Sequence, residues 1–237
     1  MSRLRDLGDW LDERTAWRAS YRAWIDHPVV GGAPWASAIA ASVATCFGVL
    51  ALTGTALMTS YSPSPQAAWA SVFFAQFVQD RGWIVRGLHY WAAQSLFVLA
   101  ALQIVHGAFV ASYRKPRELA WFLTLALLGL AVAEGITGGL LPWDQRGWWG
   151  RVVEGNIVGM APGLGPWLQQ MIQGGTELGA LGLARGYTAH VLLLPALIAL
   201  VLWGRRRLVR RHGWAAAEGT SPYARQLARN VVVGALV

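Results

Sequence analysis

Cysteine is nearly absent from this 237-residue chain, and the single thiol, Cys46, excludes an internal disulfide and any cysteine-built zinc or iron–sulfur centre. Cys46 falls inside an apolar segment and reads as a small core residue. Charge is scarce as well, at 14% of residues, and its balance is basic, with 20 Lys and Arg against 12 Asp and Glu. The basic residues sit at the ends of apolar segments and not over a polar face, which argues against nucleic acid as a partner and for membrane topology. A short apolar leader with a small-residue cleavage site is also missing. Residues 1–35 are polar and carry both charge signs, so no removable leader is expected and the later segments should direct insertion themselves.

What the chain has in abundance is apolar surface. It is 55% hydrophobic, holds 14 tryptophans and has a positive mean hydropathy, too apolar for a soluble domain of this size. Four runs are long enough, at ~1.5 Å per helical residue, to cross a bilayer core. They cover roughly Trp35–Tyr61 (A), Ile84–Tyr113 (B), Leu119–Leu141 (C) and Ala184–Trp203 (D). The fold class read from this pattern is all-α: a transmembrane four-helix bundle.

Residues 1–34 carry Leu4, Leu7, Leu11, Trp17, Tyr21 and Trp24 at roughly helical spacing, which predicts an amphipathic helix along the membrane surface on the cytoplasmic side. Residues 35–204 form the four-span bundle. Residues 205–237 begin with Arg205, Arg206, Arg207, Arg210 and Arg211 and end in an apolar run too short to span, either the start of a fifth span or a surface anchor. That cluster and Arg114-Lys115-Pro116-Arg117 after span B mark one cytoplasmic face, so both termini are expected there. The long connection between C and D, rich in Gly, Trp and Pro, reads as functional.

An ionisable side chain inside a span is costly, and so is a functional-site hypothesis. His89 lies under two turns into B, and His190 lies at nearly the same depth in D. B and D run in the same direction, so the two imidazoles share one level, the arrangement that axial ligation of a haem needs. Arg86 and Arg185 stand closer to the outer end of the same helices and could meet haem propionates. Gly54 in A and Gly138 in C would let a flat macrocycle lie against backbone. His106 reads as an interface histidine, and His27 and His212 as solvated.

These pieces together resemble the N-terminal, four-helix haem-bearing part of cytochrome b from cytochrome bc-type quinol oxidoreductases, in its split, short form. The matching segments are Thr53-Gly54, GWIVRGLH from Gly82 to His89, KPREL from Lys115 to Leu119, GGLLPWDQRGWWG from Gly138 to Gly150, and RGYTAHVLLLP from Arg185 to Pro195. The resemblance implies an electron-transfer subunit of a respiratory or photosynthetic complex in the bacterial cytoplasmic membrane, a redox part and not a complete enzyme. It implies haem b as cofactor. It implies membrane lipid, quinol or quinone, a Rieske-type iron–sulfur protein, a cytochrome c-type subunit and a C-terminal cytochrome b-like subunit as partners. Pro142, Trp149 and Gly150 become quinol-pocket candidates, with the opposite wall supplied by a partner.

Members of that family hold two haems, with two histidines each in B and D. Here the second positions are Gln103 in B and Gly204 or Arg205 in D, while the glycines expected beside an inner haem are Ala40 and Thr124. One haem b near the outer face is therefore expected. A second haem using His106 is the weaker alternative, and a haem-free structural or assembly subunit, or a transporter-like bundle, is the competing class.

Overall fold

The computed structural model describes residues 2–25, 28–30, 34–214 and 220–235. The N-terminal segment forms two helices, α1 (Ser2–Thr15) and α2 (Trp17–Ile25), where the periodicity suggests one. Ala16 breaks them by taking a left-handed conformation at φ 47°. A short strand, β1 (Pro28–Val30), pairs antiparallel with β2 (Thr220–Pro222), a small addition to the otherwise all-helical fold. His27 lies outside the described residues.

The long helices follow. α3 (Pro34–Met58) is span A, and a shorter helix α4 (Ala68–Phe77) leads into α5 (Gly82–Phe109), which is span B. α6 (Glu118–Leu140) is span C. The connection beyond it is helical: α7 (Gln145–Gly159) and α8 (Gly165–Gln173). Span D is built from α9 (Ala180–Thr188), a π-helical turn (Ala189–Leu193) and α10 (Leu194–His212). α11 (Tyr223–Ala235) packs along α3 and α2, so the apolar tail has a partner within the chain.

Four of these helices are long and apolar enough to cross a membrane among the described residues. Such helices close every backbone hydrogen bond within themselves, which hydrocarbon requires. Span D continues to His212, beyond the Trp203 boundary read from its charge. Arginine is a good helix former, and Arg205 is buried in the bundle, not lost to water. The π turn sits just before Pro195, whose ring clashes with the carbonyl four residues back in a regular helix; a wider turn relieves that clash.

α3 packs on α5, α5 on α6, and α6 on α10. Val43, Cys46, Leu96, Leu99, Leu127, Ala131 and Ile198 fill the middle of the bundle. A second cluster of Ala68, Leu140, Leu178 and Leu183 closes the end where α4, α7 and α9 meet, with Tyr61, Trp143 and Trp148 against it. The PWDQRG segment makes that corner: Pro142 follows the end of α6, Trp143 turns the chain at φ 50°, and the Asp144 carboxylate caps α7 by accepting from the Gly147 amide at 2.8 Å.

Gly82, the buried first residue of α5, has no room for a methyl, because a Cβ there would run into the backbone carbonyl of Ala75 in α4. Gly82→Ala should lower the stability of the detergent-solubilised protein by roughly 1–3 kcal/mol, read as a drop in its thermal midpoint. Gly87→Ala, with nothing within 4 Å of the added carbon, should leave it unchanged.

Candidate functional site

His89 projects from α5 toward α3. Thr53 gives the one proton of its hydroxyl to the Val49 carbonyl at 2.7 Å, as a helical threonine can. Its oxygen then has only lone pairs for His89 Nδ1, which lies 2.9 Å away, so Nδ1–H must be the donor. That fixes the tautomer and leaves Nε2 as the nitrogen with a free lone pair. Beside Thr53, a Cβ on Gly54 would stand 3.1 Å from His89 Cε1, so the missing side chain is what lets the ring sit against α3.

The same device recurs between span D and α6. Thr137 donates to the Ala133 carbonyl at 2.8 Å and presents its oxygen to His190 Nδ1 at 3.2 Å. A Cβ on Gly138 would stand 2.7 Å from His190 Cε1. A Thr–Gly pair in α3 holds one imidazole and a Thr–Gly pair in α6 holds the other. His190 has a further partner: Glu134 Oε2 lies 2.7 Å from Nδ1 and accepts its proton. A carboxylate on the far nitrogen in this way orients a metal-ligating histidine and raises its basicity.

The two rings face each other across the bundle, with centroids 6.2 Å apart and planes at 70°. Imidazole nitrogens bind metal ions such as zinc at about 2.0–2.1 Å, so two rings ligating one ion from opposite sides stand roughly 6 Å apart between centres. The donor set, the fixed tautomers and the paired glycine clearances therefore fit a bis-histidine group. His190 also lies inside the π turn, a local widening found often at functional sites.

Thr137 and Glu134 escaped the sequence reading. The carboxylate was legible as the one acid within span C beyond its first residue, and Thr137-Gly138 as the echo of Thr53-Gly54. Arg86 and Arg185 are both exposed. Arg86 donates to Gln76 Oε1 at 2.8 Å, and Arg185 to the Met171 carbonyl at 2.9 Å, neutral acceptors that leave neither paired with a carboxylate among the described residues. A buried Arg151 in α7, whose guanidinium would lie 3.9 Å from a Cβ on Gly186, was also missed; it pairs with Glu154 at 3.5 Å. Burial pushes the Glu154 carboxyl up and the Arg151 charge holds it down, while for Arg151 burial lowers and Glu154 raises.

At the same end, Tyr61 donates to the Leu141 carbonyl at 2.8 Å and stacks on Tyr187 at 5.3 Å; burial pushes its phenol above the ordinary range. A cleft of about 600 Å³ opens there, lined by Trp69, Trp143, Asp144, Gln145, Trp148 and Trp149. Trp149 belongs to it, and Trp149 Nε1 donates to Gln145 Oε1 at 3.0 Å. Pro142 and Gly150 flank these residues in sequence without lining the cleft.

The opposite end of the bundle is different. Gln103, Thr124 and Arg205 are each 4% exposed and line one small pocket of about 20 Å³ together with His106, Arg117 and Trp214. Arg205 Nε donates to Thr124 Oγ1 at 2.9 Å, and the guanidinium lies over the Trp214 ring at 4.6 Å. Residues expected to mark a second haem thus pack against one another.

The profile of the cytochrome b/b6/petB family matches residues 29–213. The cytochrome b subunit of the menaquinol:cytochrome c reductase of Geobacillus thermodenitrificans is 33% identical over 89% of this chain and 97% of its own length. Cytochrome b6 of Mastigocladus laminosus is 32% identical over 71% of this chain and 79% of its own. The cytochrome bc complex cytochrome b subunit of Chlorobaculum thiosulfatiphilum is 37% identical over 73% of this chain, which spans only 40% of that longer relative. In fold, the chain matches a hyperthermophilic respiratory complex III structure at a TM-score of 0.80 and 23% identity, covering 95% of this chain and 63% of that one.

Gly138→Ala should force the His190 ring aside, at a cost of roughly 1–3 kcal/mol, and strip most of the b-type absorption from the purified protein. Gly139→Ala, where an added Cβ meets nothing within 4 Å, should keep it.

Proposed function

The chain belongs to the cytochrome b/b6 family, and from that premise we propose that it is the electron-transfer subunit of a quinol-oxidising bc-type complex, holding one haem b between His89 and His190. The observation that carries this reading is the pair of Nδ1–H groups fixed by Thr53 and by Thr137 with Glu134, which leaves both Nε2 lone pairs free to hold the iron of a haem when it is bound. A haem held there supplies a one-electron centre. A haem-free scaffold has no use for two imidazoles so fixed.

The remaining work falls to the protein. Thr53 and Thr137 orient the rings, and Gly54 and Gly138 clear the space beside them. Glu134 strengthens the basicity of His190 by accepting its proton. Arg86 and Arg185 are the cations proposed to meet the carboxylates of the bound group, because neither is paired with an acid among the described residues. The cleft at Trp149, with Pro142 and Gly150 beside it, is the proposed half of a quinol pocket, and a C-terminal cytochrome b-like subunit would supply the other wall. A Rieske-type iron–sulfur protein and a cytochrome c-type subunit complete the proposed partners.

The single-haem reading is supported by the other end of the bundle. An arginine has no lone pair to offer a metal, a glutamine amide is a poor substitute for imidazole, and Arg205 already binds Thr124. His106 lines that pocket, and among the described residues no second histidine lines it with His106. The basic turn at Arg114–Arg117 and the cluster at Arg205–Arg211 support a topology with both termini in the cytoplasm of a bacterial cell.

His89→Ala and His190→Ala should each abolish the b-type band in reduced-minus-oxidised spectra, whereas His106→Ala should retain it; loss of the band in all three would sink the ligand assignment. The haem-to-protein ratio of the purified subunit should be one. Glu134→Gln removes the carboxylate but keeps an acceptor, and should raise the midpoint potential of the remaining haem by tens of millivolts in a redox titration. An unchanged potential would mean that the Glu134 carboxylate does not tune the axial histidine.

A further inference from the structure

The pocket at the basic end of the bundle carries a charge problem. Arg205 is 4% exposed and Arg117 7% exposed, both line the same cavity, and neither has a carboxylate within 4 Å among the described residues. Among the described residues the lining includes no Asp or Glu. Thr124 and Trp214 give Arg205 a hydrogen bond and a ring face, but both are neutral. An uncompensated buried ion is strongly unfavourable, because neutral dipoles replace only part of the hydration it loses.

Gln103 carries a second, independent imbalance. It is 4% exposed, and among the described residues neither its amide nitrogen nor its amide oxygen has a partner; the Nε of Arg117 is likewise unpartnered there. Two other polar groups of the wall, besides the half-buried His106, are already engaged. Thr124 donates to the Ala120 carbonyl at 2.9 Å while accepting from Arg205, and Ser112 donates to the Trp214 carbonyl at 2.8 Å. What remains among the described residues is the Gln103 amide, with its N–H donors and its oxygen both free, and the Arg117 Nε donor, facing a space of about 20 Å³. One water-sized body needs ~10–15 Å³, so the space takes a single atom-sized occupant and no phosphate or ring.

We infer that this pocket is a binding site for one small monovalent anion of the halide class, held by the Arg205 guanidinium and the Gln103 amide N–H, with Arg117 adding positive charge. A water molecule would fit and would hydrogen-bond Gln103, but it would leave both cations uncompensated. A halide meets the charge and the donors at once. The inference rests on the reading that no second macrocycle occupies this end, since the two could not share the space.

The test uses the purified complex in nanodiscs, in sodium chloride, sodium bromide and sodium gluconate at equal ionic strength, with helix loss followed by circular dichroism and haem counted in the same sample. The expected result is a saturable rise of the melting midpoint by a few degrees in chloride and bromide over gluconate, as selective binding to the folded state requires. It should be lost in Arg205→Gln and in Gln103→Leu; where the arginine variant does not fold, Gln103→Leu decides. Equal melting in all three salts with one haem per chain would overturn the anion site and leave the single-haem reading standing. Two haems per chain would overturn both. A halide effect that survives in Gln103→Leu would place the anion elsewhere and overturn the site.

Discussion

Two hydrogen bonds on two imidazole nitrogens determine what this bundle can be. Because the hydroxyls of Thr53 and Thr137 spend their protons on their own helices, each can only accept from Nδ1, and each histidine is thereby held with Nε2 free. The four spans are arranged to deliver this. α3 faces α5 and α6 faces span D, so each ligand helix has one supporting helix beside it. The Thr–Gly order matters physically, since the first residue fixes the ring and the next one makes room for it. Glu134 then distinguishes the two sites, adding a carboxylate to His190 where His89 has only a hydroxyl.

The two ends of the bundle express opposite solutions to burying polarity. At the end with the histidines, the imidazoles and the Tyr61 hydroxyl each have a partner, and the aromatic corner of Tyr61, Trp143 and Trp148 closes over them. At the other end the positions that a second macrocycle would need hold Gln103, Thr124 and Arg205, which fill the interior with polar side chains and leave a cavity of only about 20 Å³. The single-haem function proposed above would therefore not carry electrons through the full thickness of the bundle. A partner would have to receive the electron near the histidine end.

Much of this was legible in the sequence, and the reasons are uneven. The spans were clear because hydrocarbon imposes length and apolarity on every residue of a crossing helix. His89 and His190 stood out because a polar group inside such a helix is expensive. The helix of span D runs on past Trp203, where the charge pattern set its boundary, because arginine is a good helix former, and Arg205 turns inward onto Thr124 and Trp214. The N-terminal break at Ala16 left no trace in the periodicity, since alanine is a strong helix former; across the break the Asp12 carboxylate accepts from the Arg18 amide at 2.8 Å. Glu134 and Arg151 were missed because their partners, His190 and Glu154, come from the tertiary fold or from a connection that gives no regular pattern. Arg86 and Arg185 stand a short way before the two histidines on their helices, but their observed partners, Gln76 and the end of α8, could not be read from spacing.

The most direct measurement is a density map of the membrane complex containing this chain, at a resolution that separates side chains. One macrocycle should stand between His89 and His190, with Nδ1 of His190 still on Glu134. Arg205 should still be on Thr124 at the far end of the same four helices. Density for a second macrocycle there, with Arg205 turned away, would contradict the single-haem arrangement.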